Sequence, residues 1–202
     1  MIWYEEEVQK LEEKISGLGY HPGLVFYGSS TIRLWESLEA DFRDCRPLNL
    51  GFGGSTLEAC VYFYKRLLLR LKPEKLVIYA GDNDLGDGKS AEAVYSYFLQ
   101  LCQLFNSFHA GIPVTFISIK PSISRWDIRH KIKLANELIS KAISAMPSVE
   151  FIDMYSHMML ADGSINAALF DEDGLHLSKA GYALWKNVLL THGLCKNDSL
   201  LT

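Results

Sequence analysis

Residues 23–35, GLVFYGSSTIRLW, decide the fold. The apolar run Gly23-Leu24-Val25-Phe26 reads as a buried strand, Gly28 permits a sharp turn, and Ser29-Ser30-Thr31 leads into the next helix. Runs of the same kind recur downstream: PLNLGFGG from 47, KLVIYAG from 75, IPVTFISIK from 112 and VEFIDM from 149. Between them apolar residues fall at helical spacing, as in Val94, Tyr97, Phe98, Leu101, Phe105 and Phe108, and again in Ile128, Ile132, Ala135, Ile139, Ala142 and Met146. Strands that alternate with helices and are apolar throughout predict an α/β fold, a parallel sheet covered by helices on both faces. In such sheets ligands sit at the carboxyl ends of the strands, so function is sought in the loops that follow them.

A chain of 202 residues, 49% hydrophobic and 22% charged, is read as one domain over 1–202 with a single sizeable core. The net charge of −4, with signs mixed along the chain, supplies no basic patch for nucleic acid and no polybasic membrane-facing segment. The stretch MIWYEEEVQKLEEKISGL is acidic and amphipathic where a secretory signal is basic and then apolar, and no run is long enough for a membrane span. A cytoplasmic protein is expected, with Cys45, Cys60, Cys102 and Cys195 as buried free thiols, since none forms a CxxC pair. The polar tail CKNDSLLT is expected to fray.

Four post-strand loops carry chemistry. In Gly28-Ser29-Ser30-Thr31, the residue directly after the glycine still lies in the turn, while the next reaches the helix start. There its hydroxyl stands open and its N–H joins a positive helix terminus. That choice favours Ser30 as a nucleophile over Ser29, which is expected to supply a loop hydrogen bond; an ordinary Ser/Thr cap is the plainer alternative. In Asn49-Leu50-Gly51-Phe52-Gly53-Gly54-Ser55-Thr56, Ser55 and Glu58 have capping-box spacing, leaving Gly54 just outside a helix with its backbone free to approach a ligand. A tight glycine turn explains the same residues.

The third loop, Gly81-Asp82-Asn83-Asp84, begins DNDLGDG, which fails as a calcium loop because Asp87 stands where the glycine belongs and Ala93 where the bidentate glutamate belongs. Asn83 offers a neutral amide donor suited to a developing negative charge, or else an Asx turn. In the fourth loop, Asp173 and His176 stand three apart, so one turn brings the carboxylate to one imidazole nitrogen and leaves the other free. No second histidine stands at ligand spacing, so no metal is expected; His21, His109, His130, His157 and His192 are scattered.

Taken in this order, the four loops resemble the sequence blocks of the GDSL-type, or SGNH, hydrolases over about residues 23 to 190. The resemblance implies a three-layer α/β/α, flavodoxin-like fold with five parallel strands, no metal or organic cofactor, and esterase or lipase activity. It places the nucleophile on Ser30, oxyanion donors on the backbone of Ser30 and Gly54 and on the Asn83 side chain, and the orienting pair on Asp173 and His176. The first block usually reads Gly-Asp-Ser, whereas this chain has Ser29 in the middle.

The expected substrate is a small ester, with a short acyl group on a small alcohol or sugar, because the short inter-block segments leave no evident lid. Arg33, Trp35, Phe52, Lys120, Arg125 and Trp126 are candidate substrate contacts, although a tryptophan beginning an amphipathic helix, as Trp126 does, is more often a packing residue. A flavodoxin-like module cradling phosphate or flavin on Gly28-Ser29-Ser30-Thr31 is the rival, but it gives Asp173 and His176 no task. The sequence leaves the oligomeric state open.

Overall fold

The computed structural model describes residues 1–195. Each of the five apolar runs supplies one strand: β1 (Leu24–Gly28), β2 (Pro47–Gly51), β3 (Lys75–Tyr79), β4 (Val114–Ile117) and β5 (Val149–Ile152). They form one parallel sheet in the order β2-β1-β3-β4-β5, the doubly wound order of flavodoxin-like folds. The main helices are α1 (Glu5–Ser16), α2 (Ser30–Arg33), α3 (Leu38–Asp41), α4 (Leu57–Leu68), α5 (Asp82–Gly86), α6 (Ala91–Phe108), α7 (Arg129–Ile143), α8 (Met154–His157) and α9 (Lys179–Thr191).

Side chains along a strand point alternately to its two faces, and here both faces are covered. Val25, Tyr27, Leu76 and Ile78 enter a core shared with Phe63 of α4, Phe98 of α6 and Ile139 of α7. Leu24, Phe26, Val77 and Tyr79 enter a second core with Trp35, Phe42 and Trp185 of α9. The two cores make three layers, α/β/α. Among the described residues no helix is long and apolar enough to cross a membrane.

Three local expectations are corrected. Helix α4 starts one residue later than the Ser55/Glu58 spacing suggests: Thr56 is its cap, its Oγ1 accepting the Ala59 N–H at 3.0 Å. Glu58 instead pairs with Lys89 at 2.6 Å, a partner distant in sequence that no local pattern announces. Helix α7 ends at Ile143, short of Met146. Cys45 and Cys195 are not free thiols but a disulfide with a Cα–Cα distance of 5.9 Å, joining residues 150 apart; such a separation leaves no spacing pattern. Cys60 and Cys102 are buried and free, as expected. Beyond Cys195, the expected fraying of the tail falls outside the described residues.

Candidate active site

The site gathers at the carboxyl ends of β1, β2 and β3. Strand β1 ends at Gly28 with φ +146°, where any Cβ would lie 1.8 Å from the Tyr79 carbonyl oxygen of the neighbouring strand. Glycine is therefore required for β1 to pass β3 so closely, and the close passage lets the Ser29 N–H donate to Tyr79 O at 2.9 Å. The chain turns there, and Ser30 becomes the first residue of α2. Ser29 holds the preceding position with an extended backbone, yet caps nothing. Its side chain is fully buried and its Oγ has no hydrogen-bond partner, which corrects the expected loop hydrogen bond.

The Asp173–His176 loop reaches Ser30 from the far end of the sequence. Asp173 Oδ1 accepts the N–H groups of Leu175 and His176 at 2.8 and 2.9 Å, and its Oδ2 lies 2.5 Å from His176 Nδ1. Burial pushes the Asp173 carboxyl up, but those backbone donors and the imidazole outweigh it and hold the group at about 2. An ionised carboxylate only accepts hydrogen bonds, so Nδ1 carries the proton and Nε2 is left as the acceptor. Ser30 Oγ stands 3.2 Å from that Nε2. Downstream, Ser178 starts α9 by accepting the Gly181 N–H at 3.2 Å, which fixes where the loop ends.

In the loop after β2, Gly54 adopts φ +65° and a Cβ there would meet nothing within 4 Å, so its backbone is open. Asn83 stands in α5; its Nδ2 donates to Ser55 O at 3.1 Å and its Oδ1 accepts from Arg125 Nη2 at 3.0 Å. Two further groups tie these loops down. Asp84, wholly buried, accepts the Leu57 N–H at 2.6 Å and pairs with Lys89 at 3.1 Å, linking the loop after β3 to the start of α4. Its carboxyl is pushed up by burial, with Leu57 N–H and Lys89 opposing.

Helix α1 and Tyr4, the residue before it, provide the second tie, which the sequence did not disclose. Tyr4 Oη donates to Gly54 O at 3.2 Å, and Glu7 Oε2 accepts the Gly53 N–H at 2.5 Å. An acidic residue at the start of an amphipathic helix is a routine surface feature, and only the fold brings it to the glycine loop.

The proposed substrate contacts divide. Phe52 is fully buried among Tyr4, Tyr27 and Phe63, and Trp35 sits in the opposite core against Phe26, Phe42 and Trp185; both are packing residues, which corrects their assignment. Lys120 is 1% exposed and likewise unavailable to a substrate. Arg33 faces Glu7 at 3.7 Å across Gly53, at the rim of the glycine loop. Arg125 is engaged with Asn83, and Trp126 lies under the Arg129 guanidinium at 4.9 Å. A cavity of about 780 Å³ lies elsewhere, between α7 and the segment after β5, lined by Lys133, Tyr155 and Met159. We place the site on the converging polar groups, since that cavity contains none of them. Among the described residues no group of three or more His, Cys, Asp or Glu is disposed to hold a metal ion.

Comparison with known proteins agrees with this fold. The model of the GDSL-like Lipase/Acylhydrolase family matches residues 19–184. The platelet-activating factor acetylhydrolase IB subunit alpha1 of Bos taurus is 28% identical over 169 residues, covering 80% of this chain and 70% of the bovine one. The alpha2 subunit of Gallus gallus is 26% identical over 168 residues, covering 80% and 72%. The solved structure of a GDSL-like lipase from Bacteroides thetaiotaomicron superposes with a TM-score of 0.79 at 20% identity, covering 92% of this chain and 96% of that one. A lipase/acylhydrolase from Enterococcus faecalis gives 0.66 at 22% identity, covering 84% and 94%. With the matched segment running from before β1 into α9, the chain belongs to the GDSL-like lipase/acylhydrolase family and is a hydrolase.

Proposed function

We propose that the protein is a serine esterase acting on short-acyl carboxylic esters. The contact chain Ser30 Oγ to His176 Nε2 to Asp173 Oδ2, at 3.2 and 2.5 Å, carries the reading. His176 takes the hydroxyl proton as Ser30 Oγ attacks the ester carbonyl, and the imidazolium so formed is stabilised by Asp173. The carbonyl oxygen becomes an oxyanion that accepts hydrogen bonds from the Ser30 and Gly54 N–H groups and from Asn83 Nδ2. His176 returns the proton to the departing alkoxide, leaving an acyl-Ser30 ester. Water, deprotonated by the same imidazole, then cleaves it to acid and free enzyme.

The name of the mammalian and avian relatives includes acetylhydrolase, which supports the short-acyl preference. Turnover of p-nitrophenyl esters from acetyl to long-chain acyl tests it. A pre-steady-state burst and highest kcat/KM on acetyl or butyryl esters is expected; a clear rise with chain length contradicts the short-acyl reading. Cytoplasmic placement remains part of this proposal, and the Cys45–Cys195 bond is the observation against it, because disulfides persist in oxidising compartments. Alkylation of thiols in intact cells, followed by mass measurement, decides: two blocked sulfurs at 45 and 195 support the cytoplasm, and a protected bond overturns it.

A further inference from the structure

Beneath Asn83 lies a small group of charges that the esterase mechanism does not use. Asp82 Oδ2 is 3.4 Å from Arg125 Nη1 and 3.7 Å from Lys120 Nζ, with the Asp82 side chain 7% exposed and that of Lys120 1%. Burial pushes the Lys120 ammonium down while Asp82 opposes the shift. Two cations thus share one buried carboxylate, and the guanidinium has a second nitrogen to spare. That nitrogen, Nη2, donates to Asn83 Oδ1 at 3.0 Å, while Asn83 Nδ2 donates to Ser55 O at 3.1 Å. Turning the amide over would set Oδ1 against a carbonyl oxygen and the NH2 group against a guanidinium, so both neighbours enforce one orientation. A planar amide pinned at both ends by one bond each still has one Nδ2–H unused.

The geometry points to Arg125 as a positioning residue that orients Asn83 and so aims its remaining N–H into the oxyanion hole, instead of binding the substrate itself. The proposal rests on Asn83 being an oxyanion donor. Arginine suits the task because its rigid fork reaches Asp82 and Asn83 at once, whereas a lysine ammonium at the same place reaches one or the other. A positive charge on Oδ1 also polarises the amide and makes its N–H a better donor. The same segment touches the base loop: the Ser124 N–H donates to Gly174 O at 3.1 Å, so the turn carrying Arg125 also abuts the loop of Asp173 and His176.

A double-mutant cycle on p-nitrophenyl acetate hydrolysis tests the role. Arg125→Met lowers kcat by about tenfold or more with KM little changed, because the lost orientation matters only when the oxyanion forms. Arg125→Lys falls between that variant and wild type. In the Asn83→Ala background Arg125→Met changes kcat by less than about threefold, since nothing is left to orient. A loss of the same factor in both backgrounds, or a loss lying in KM, overturns the positioning role alone. Asn83→Ala at full turnover overturns the oxyanion reading and this role with it. Should Arg125→Met fail to give the wild-type circular dichroism spectrum, Arg125→Lys, which keeps the charge beside Asp82, replaces it in the cycle under the same criterion.

Discussion

The two halves of the candidate site are built in opposite ways. The base loop is local and open: Asp173 bonds only residues two and three positions on, and the side chains of Asp173 and His176 are 49% and 29% exposed. The oxyanion side is long-range, with Asn83 held from Ser55 and Arg125, and the Gly53-Gly54 turn held by Glu7 of α1 and by Tyr4 just before that helix. A proton-transfer group needs one correct orientation and access to solvent. A preorganised dipole needs a frame that does not relax when charge develops, and that frame must come from other parts of the chain. Damage to the base loop should therefore abolish chemistry at one stroke, whereas the oxyanion side should fail by degrees as its ties are removed one by one.

The largest effect is expected at Asp173. Asp173→Asn removes the acceptor that fixes the His176 tautomer, and kcat falls by roughly 10⁴, as for the corresponding change in a serine protease triad, with the fold retained. Its pH dependence gives a second readout. The native carboxyl is held at about 2, below its ordinary 3.8, so any stability it contributes is complete above about pH 4 and is lost as pH falls through 2. Denaturant melts of wild type and Asp173→Asn should thus differ by a constant amount at neutral and mildly acidic pH, and converge between about pH 4 and 2. A gap that closes at higher pH shows that the carboxylate is not held as described.

Next in size is Asn83→Ala, expected to lower kcat by about a hundred- to a thousandfold while leaving measurable activity. Steady-state kinetics check it, and a loss as complete as at Asp173 would erase the contrast between the two halves. Removing the ties from Tyr4 and α1 with Tyr4→Phe and Glu7→Ala together is expected to lower kcat by about tenfold or less at constant KM, since the glycine turn is loosened but its donors remain. Unchanged kinetics would show that α1 packs against the loop without shaping it. The smallest effect belongs to Ser29→Ala. Its buried Oγ has no partner, so its removal costs no hydrogen bond, and turnover within about twofold of wild type with an equal or slightly higher Tm is expected. A tenfold loss would mean that the hydroxyl serves the site.

The contrast also explains what the sequence disclosed. All five strands were legible because a continuous apolar run between turn residues is a local signal, and so was the Asp173-x-x-His176 pair, whose geometry follows from one turn. Ser30, rather than Ser29, follows from counting residues past a glycine that cannot carry a side chain. What stayed hidden depends on the fold bringing distant residues together. Glu7 reads as one more glutamate on a solvated helix until α1 lies beside Gly53, and Arg125 reads as a substrate contact until Asn83 takes its nitrogen. Phe52 was misassigned for the same reason, since an aromatic between glycines suggests a pocket wall and only packing shows it to be core. Cys45 and Cys195 lie 150 residues apart with nothing between them to signal the pairing.

Which hydroxyl carries the acyl group tests the central claim most directly. Treating the protein with a serine-directed alkyl phosphonate ester and mapping the adduct by mass spectrometry should place one label on Ser30 and none on Ser29, with activity lost in step with labelling. The Ser30→Ala variant should take up no label and show no burst. A phosphonate found on Ser29, or a Ser30→Ala enzyme that still turns over, would contradict the assignment of Ser30, His176 and Asp173 as one catalytic unit.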